Sequence, residues 1–503
     1  MERLYRMNSI NFEFLRPHNE ILANLGGYAE AVLHVDPGSA LTRLRSFAES
    51  LTKAIHKEER LPVLYQASFY DLVKHPAFIA SVDGSLINQI NYMRMQGNEA
   101  AHGGKGDLRS ALIILGTAHQ LAMYMAIRYY GVKKDEIPAY PDIPDTRSEL
   151  EQLEQSVSEY KKALDTKAEE VDKLIEKLDK ERGKSKQAES SSGEQEAARS
   201  KSKSTADSLQ WDEAKTRQLL IDAMIVQAGW DLNDPKQVTL EETVEHQPTS
   251  TGIGYADYVL WDDNAKPLAV IEAKRSSQEN LQVGREQARM YADGLEKMTG
   301  QRPVIFYTNG YETFIWDDQQ YNSYRPIYGF YSKDSLSYLI YQRQYRKTEV
   351  EQFNPDVRIA GRAYQIESIK SVASRFQQQR RKALIVQATG TGKTRVAIAL
   401  TELLLRTGWV KRILFLCDRR ELRRQADDAF KEYLASEPRI VIGEKNKIDQ
   451  AVRIYVSTYP GMMNRFHQLD VGFFDLIIAD ESHRSVYNKY RDLFDYFDAL
   501  QIG

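Results

Sequence analysis

"ALIVQATGTGKTR", residues 383–395, decides the fold of the second half of this chain. A continuous apolar run leads into a loop holding Gly390 and Gly392, and Lys393-Thr394 then opens a helical pattern. Glycine at those two positions lets the backbone curl until successive N–H groups face one anion. The start of the following helix adds the positive end of its dipole. Thr389, Gly390, Thr391 and Gly392 therefore form a phosphate cradle. Lys393 reaches the β- and γ-phosphates of a nucleotide, and the Thr394 hydroxyl is placed to ligate Mg²⁺. Gln387 stands where such loops usually begin with a small residue, and the other parts are all present.

The partner of that loop arrives at "FDLIIADESHR" (474–484), a second apolar run ending in Asp480-Glu481. Asp480 suits Mg²⁺, usually through water, and Glu481 suits polarising the water that attacks a γ-phosphate. Between and around these stand "RILFLCD", "RIVIG" and "RIYVST", with helical patterns in several of the gaps. Short continuous apolar runs are the mark of strands buried on both faces, so residues 346–503 read as a parallel α/β sheet.

The whole chain has 503 residues, 42% of them hydrophobic, enough for about three domains. A net charge of −3 excludes a generally basic nucleic-acid coat, so any DNA contact would have to come from local basic surfaces. The single cysteine, Cys417, excludes internal disulfides and cysteine-rich zinc sites and fits a reducing, cytoplasmic setting. The opening "MERLYRMNSINFEF" lacks the apolar core of a signal peptide. "SALIILGTAHQLAMYMAI" (110–127) carries no charge but has Thr117, His119 and Gln120 at its middle, and it reads as a buried core helix rather than a membrane span.

Residues 1–145 read as a helical domain, with Leu41, Leu44, Phe47, Ala48 and Leu51 at helical spacing. Residues 146–182 follow a 3–4 spacing (Leu150, Leu153, Val157, Tyr160, Leu164, then Val171, Leu174, Leu178), with Lys167 in the one polar slot, which predicts a coiled coil or helical hairpin. Residues 183–210 include a run with no aromatic or branched apolar residue and read as a flexible linker. From 211 to 345, a helix at "DEAKTRQLLIDAMIVQAGW" precedes strands at "YADYVLWD", "LAVIEAK", "RPVIFYTNG" and "YETFIWD", with a helix between the second and third. Residues 318–357 read as a short helical or irregular bridge to the last domain. His34, His56 and His75 have no metal-ligand spacing and read as surface or helix-cap residues.

"GYADYVLWDDNAKPLAVIEAK" (254–274) is two strands around a polar turn. A turn centred between Asn264 and Ala265 puts Asp257 directly opposite Glu272, with Cβ atoms about 5 Å apart. Glu272 and Lys274 share a face because side chains alternate along a strand. Two carboxylates can hold Mg²⁺, and the lysine can orient a water or stabilise charge on a phosphate. The bland reading is a solvated hairpin face whose charges merely pair.

The phosphate loop and the DESH box resemble those of superfamily 2 helicases and translocases, so a RecA-like fold is implied. By the same resemblance "RAYQ" (362–365) supplies Gln365 as an adenine reader with Tyr364 nearby, while "FLCDRRELRRQ" (415–425) and "VSTYPGM" (456–462) are DNA-facing motifs. The D…E-x-K hairpin, with Gln287 and Tyr291 as Q-x-x-x-Y downstream, resembles the RecB-like branch of the PD-(D/E)xK nucleases. A helical region, such a nuclease and such a motor on one chain resemble the R (motor) subunit of type I restriction enzymes. That resemblance implies ATP and Mg²⁺ as cofactors, and double-stranded DNA plus modification and specificity subunits as partners. It also implies that motif III and a second RecA-like domain lie beyond an amino-terminal fragment, which would hydrolyse ATP poorly by itself. "RMQGNEAAH" (94–102) resembles the R…H segment of HEPN-like domains, but seven residues separate Arg94 from His102, more than the four to six of that pattern, which favours a structural or docking role. A stand-alone DNA-repair or defence helicase-nuclease, and a nucleotide-gated DNA-binding scaffold with an inactive E-x-K site, share the same motifs.

Overall fold

The computed structural model describes residues 7–62, 67–101, 107–141, 143, 192–208, 213–273, 278–347, 349–388, 390–442, 448–481 and 490–503. The segment 146–182, with its coiled-coil expectation, lies outside the described residues, as do His102, Lys274 and Thr389. The chain divides into two compact units, Met1–Leu220 and Ile221–Gly503.

The first unit is helical: α1 (Glu20–Val32), α2 (Pro37–Glu58), α3 (Phe69–Val73), α4 (Pro76–Ser81), α5 (Gly84–Ala101), α6 (Leu108–Tyr130) and α7 (Ser192–Ser208). Asp36 caps α2 by accepting from Ser39 N at 3.1 Å, and Pro37 supplies the first helical residue. The apolar stripe Leu41–Leu44–Phe47–Ala48–Leu51 is buried throughout. α6 is long and apolar enough to cross a membrane, and 61% of its most apolar window is buried inside the unit.

Two expectations change here. Residues 192–208, read as part of a flexible linker, form α7. The helix is held by small residues rather than large apolar ones: Ala198 and Ser202 are buried, and the Ser202 hydroxyl accepts from Asp83 N at 3.0 Å and Tyr124 OH at 2.9 Å. Its Ala, Glu, Gln, Lys and Arg residues are also good helix formers. His56 is a core residue, not a surface one; it stacks on Phe78 with ring centroids 5.0 Å apart, and its Nε2 lies 3.0 Å from Leu72 O. His75 caps α4, accepting from Ala77 N. Arg94 is buried with its guanidinium 5.1 Å from the Tyr70 ring centre.

α8 (Glu213–Gln227) leads into the second unit, where its Ile221, Met224 and Ile225 enter the core of a mixed sheet. That sheet contains β1 (Val238–Glu245), β2 (Ile253–Trp261), β3 (Pro267–Ala273), then α9 (Gln278–Thr299), β4 (Val304–Thr308), β5 (Thr313–Trp316) and β6 (Arg325–Ile327). Spatial order follows chain order; β3 and β4 are parallel, with α9 as the crossover, and the other pairs are antiparallel. One face packs on α8 through Tyr258, Leu260, Ala269, Ile271 and Phe306. The other packs on α9 through Val259, Val270 and Ile305.

α10 (Lys333–Tyr345) and α11 (Ala363–Gln377) lead to a parallel sheet. Its elements are β7 (Lys382–Ala383), α12 (Lys393–Arg406), β8 (Ile413–Cys417), α13 (Arg420–Tyr433), β9 (Arg439–Val441), β10 (Ile454–Thr458), α14 (Tyr459–Met463), β11 (Leu476–Ala479), α15 (Arg491–Tyr496) and β12 (Leu500–Ile502). The order is β7-β12-β11-β8-β10-β9, and all pairs are parallel. The buried run expected at "ALIVQ" is corrected. Only Lys382 and Ala383 are strand, and Leu384 and Val386 are 70% and 86% exposed. Among the described residues β7 pairs with one strand, β12, so this run begins at an edge of the sheet.

Side chains join the two sheets. Asp498, just before β12, has a side chain only 6% exposed and accepts from Arg325 Nε at 2.7 Å and Arg381 Nη2 at 2.8 Å, with the Tyr331 hydroxyl donating to its other oxygen. Arg325 and Arg381 both lie over the Tyr321 ring, at 4.8 and 5.6 Å. From α10, Asp334 accepts from Lys411 Nζ at 2.8 Å and Arg412 Nη1 at 2.7 Å.

Candidate active sites

The β2–β3 hairpin has the register expected from its turn. Tyr258 pairs with Ile271, Val259 with Val270 and Leu260 with Ala269. The turn closes through Asp262 N to Lys266 O at 2.9 Å, with Ala265 in the left-handed region, and a register shift between Leu260 and Trp261 absorbs the odd residue. One step further along that register, Asp257 stands beside Glu272. The Asp257 Oδ2 accepts from Ala273 N at 2.6 Å, which ties its carboxylate to the strand carrying Glu272. Glu272 is 2% exposed.

Because side chains alternate, Glu272 faces the α9 side, as Val270 does. On that helix Gln287 Nε2 donates to Tyr291 OH at 2.7 Å, so the two are brought together. Tyr291 lies over β2 so closely that a Cβ on Gly254 would sit 2.7 Å from its ring. The parallel register of β3 with β4 also sets Tyr307 opposite Glu272, a neighbour that sequence reading missed. Only knowledge of the pairing across the crossover could have supplied it. Among the described residues no group of three or more His, Cys, Asp or Glu forms a metal site. Two hard carboxylates on adjacent strands instead fit Mg²⁺, which keeps several waters and takes one or two protein carboxylates.

In the parallel sheet, the phosphate loop follows β7, Arg419 follows β8, Thr458 ends β10 and Asp480 follows β11. All therefore sit at carboxyl ends of parallel strands, where ligands of such sheets bind. Gly390 and Gly392 have φ of 80° and 88°, so the loop uses the left-handed freedom of glycine. Lys393 and Thr394 begin α12, and with Gln387, Asp480 and Glu481 they line a cavity of ≈ 380 Å³. Lys393 Nζ lies 3.5 Å from Glu481 Oε1. Burial pushes the Asp480 carboxyl up, the Glu481 charge adds to this, and Lys393 opposes it. A dication at this spot would relieve both effects, which is how the donor set fits Mg²⁺. Glu481 holds φ 55°, a strained conformation of the kind found at functional sites.

Gln365 is 4% exposed and braces the loop. Its Nε2 donates to Thr391 O at 2.9 Å and its Oε1 accepts from Arg362 N at 3.2 Å. The Tyr364 hydroxyl also donates to Thr391 O at 2.9 Å. A Cβ on Gly392 would lie 2.7 Å from Gln365 Nε2, a second reason for glycine there.

Two stretches of the chain match known families. Residues 212–330 match the family described as "Type I restriction enzyme R protein N terminus", and residues 358–503 match "Type III restriction enzyme, res subunit". The EcoKI endonuclease subunit of Escherichia coli, a type I restriction enzyme, is 26% identical over 99% of this chain and 53% of its own length. The EcoAI endonuclease subunit of Escherichia coli is 30% identical over 56% of this chain and 37% of its own. A solved fragment assigned to an HsdR subunit from Vibrio vulnificus is 25% identical over 58% of this chain and 55% of that one, with a TM-score of 0.25. The chain thus spans about half or less of the curated relatives it matches. Over nearly its whole length this chain is a homologue of the R subunits of type I restriction enzymes.

Proposed function

We propose that this chain is the restriction subunit of a type I restriction–modification system. It would translocate double-stranded DNA at the expense of ATP and cut that DNA in a Mg²⁺-dependent step, together with modification and specificity subunits in the cytoplasm. The observation that carries the reading is the presence in one compact unit of a tied Asp257–Glu272 pair and a phosphate loop facing Asp480-Glu481. Neither a pure motor nor a pure scaffold needs the first.

In the nuclease site Asp257 and Glu272 would hold the metal, and Lys274 would orient the attacking water or the scissile phosphate. Gln287 and Tyr291 brace each other above the hairpin and fix its outer wall. Bound Mg²⁺ supplies Lewis acidity and a more acidic water. In the motor site Lys393 and the loop N–H groups grip the triphosphate, Thr394 and Asp480 hold its Mg²⁺, and Glu481 orients water toward the γ-phosphate.

The test is cutting of unmethylated plasmid by the protein assembled with its partner subunits. Glu272→Ala should abolish cutting while leaving ATP hydrolysis, and Lys393→Ala should abolish both. Cutting that survives Glu272→Ala removes the nuclease assignment; cutting that ignores ATP removes the coupling.

A further inference from the structure

Helix α9 carries chemistry that the site above does not use. Its buried stripe is Ala288, Ala292 and Leu295. Gln287 and Tyr291 flank that stripe toward β2. Arg285 and Arg289 flank it on the opposite side, one turn apart, which on a helix is about 6 Å. Each lies over an aromatic ring of the sheet: Arg285 is 5.4 Å from the Tyr324 ring centre, and Arg289 is 5.9 Å from that of Trp316.

The ring beneath Arg285 is part of a wall that runs to the site. Tyr324 meets Tyr307 at 5.5 Å and Phe314 at 5.7 Å, and Tyr307 stacks on Phe314 at 4.9 Å. Tyr307 is the register partner of Glu272. One aromatic cluster therefore links the register partner of the buried carboxylate to Arg285 at its rim. A guanidinium lying on a ring is oriented in advance and loses little entropy on meeting a phosphate.

We infer that Arg285 and Arg289 form a two-step phosphate track that seats the DNA backbone against the nuclease site. This rests on the nuclease reading of Asp257 and Glu272. The occupant is duplex DNA, because the track is cationic, its neighbouring site is built to cut a phosphodiester, and arginine on aromatic rings matches phosphate geometry. Arg285 also pairs with Glu286 at 2.7 Å. That pair is partly exposed and weakly held, so a phosphate can exchange for it.

The experiment compares the wild-type chain with Arg285→Gln/Arg289→Gln and Arg285→Lys/Arg289→Lys. Binding to a short duplex of arbitrary sequence is followed by fluorescence anisotropy over a series of salt concentrations. Each phosphate contact contributes about 0.9 to the slope of log K against log salt. The glutamine pair should flatten the slope by about 1.5 to 2 and slow cutting in the assembled enzyme at least tenfold, with ATP hydrolysis unchanged. The lysine pair keeps the charges without the stacked fork, and it should restore the slope while recovering only part of the cutting. Equal slopes for wild type and the glutamine pair overturn the track, as does full cutting by that pair. Glu272→Ala run alongside separates the two ideas. If it cuts normally, the nuclease reading fails; if it is dead while the glutamine pair is normal, only the track fails.

Discussion

Replacing Asp498 should loosen the joint between the two sheets more than any other single change there. Its carboxylate is buried, and burial alone would push its pKa up. The Arg325 and Arg381 guanidiniums outweigh that and hold it well below the usual carboxylate range. Asp498→Ala leaves two neighbouring guanidiniums beside Tyr321 without the carboxylate that they share. Breaking a buried pair in this way costs about 3–5 kcal/mol. Arg325 and Arg381 keep 15% and 21% of their side-chain surface, so water reaches them, and the lower end of that range applies. Arg325→Ala should cost less, because Asp498 keeps Arg381. The double variant should fall short of additivity by about 1–2 kcal/mol. Urea unfolding of the chain followed by tryptophan fluorescence reads this as a midpoint shift of about 1 M for Asp498→Ala. The sign with pH is fixed as well. A depressed carboxylate contributes stability that is present above its ordinary value near pH 4 and lost as pH falls below it, so wild type and Asp498→Asn should converge in acid. A change under about 0.5 kcal/mol for Asp498→Ala, or an additive cycle, would show that the triad does not hold the joint.

Three other outcomes follow from particular contacts. Gly472→Ala should destabilise by at least about 1–3 kcal/mol in the same assay, because its new methyl would meet the Tyr331 ring at 1.8 Å and that ring is anchored on Asp498. Unchanged stability would mean the ring moves freely. Gln365→Ala should weaken ATP binding about tenfold in a nucleotide titration with little effect on the melting temperature, since it frees the loop at Thr391; equal affinity would separate the brace from the site. Asp475 is raised to about 6 by burial, against the Arg412 and Lys411 backbone N–H groups that it accepts from. An acid raised on folding contributes stability that is complete below pH 4 and lost as pH climbs through about 6, a swing of up to about 3 kcal/mol. Asp475→Asn should flatten that slope between pH 4.5 and 7.5, and a wild-type slope left intact in the variant would place the titration elsewhere.

What the sequence revealed and what it concealed divide along contact distance. The phosphate loop is legible because strand, glycines, lysine and helix are consecutive, and the Asp257–Glu272 register is legible because a short turn leaves one pairing that keeps the apolar face inward. β1 carries three glutamates and a partly exposed pattern, and β6 has three residues, so neither shows the alternation or apolar run that marks a buried strand. α7 escaped because composition scores large apolar side chains, whereas Ser202 works through two hydrogen bonds to partners far away in the chain. The same limit hides Tyr307 behind a crossover and Asp498 behind a separation of 173 positions from Arg325. These long-range residues surround the motif residues rather than forming motifs themselves. The chemistry was readable from short patterns, but the walls and joints that would aim it belong to the folded chain alone, which is why Arg285, Arg289 and Asp498 are the positions where substitution separates a correctly placed site from one that is merely present.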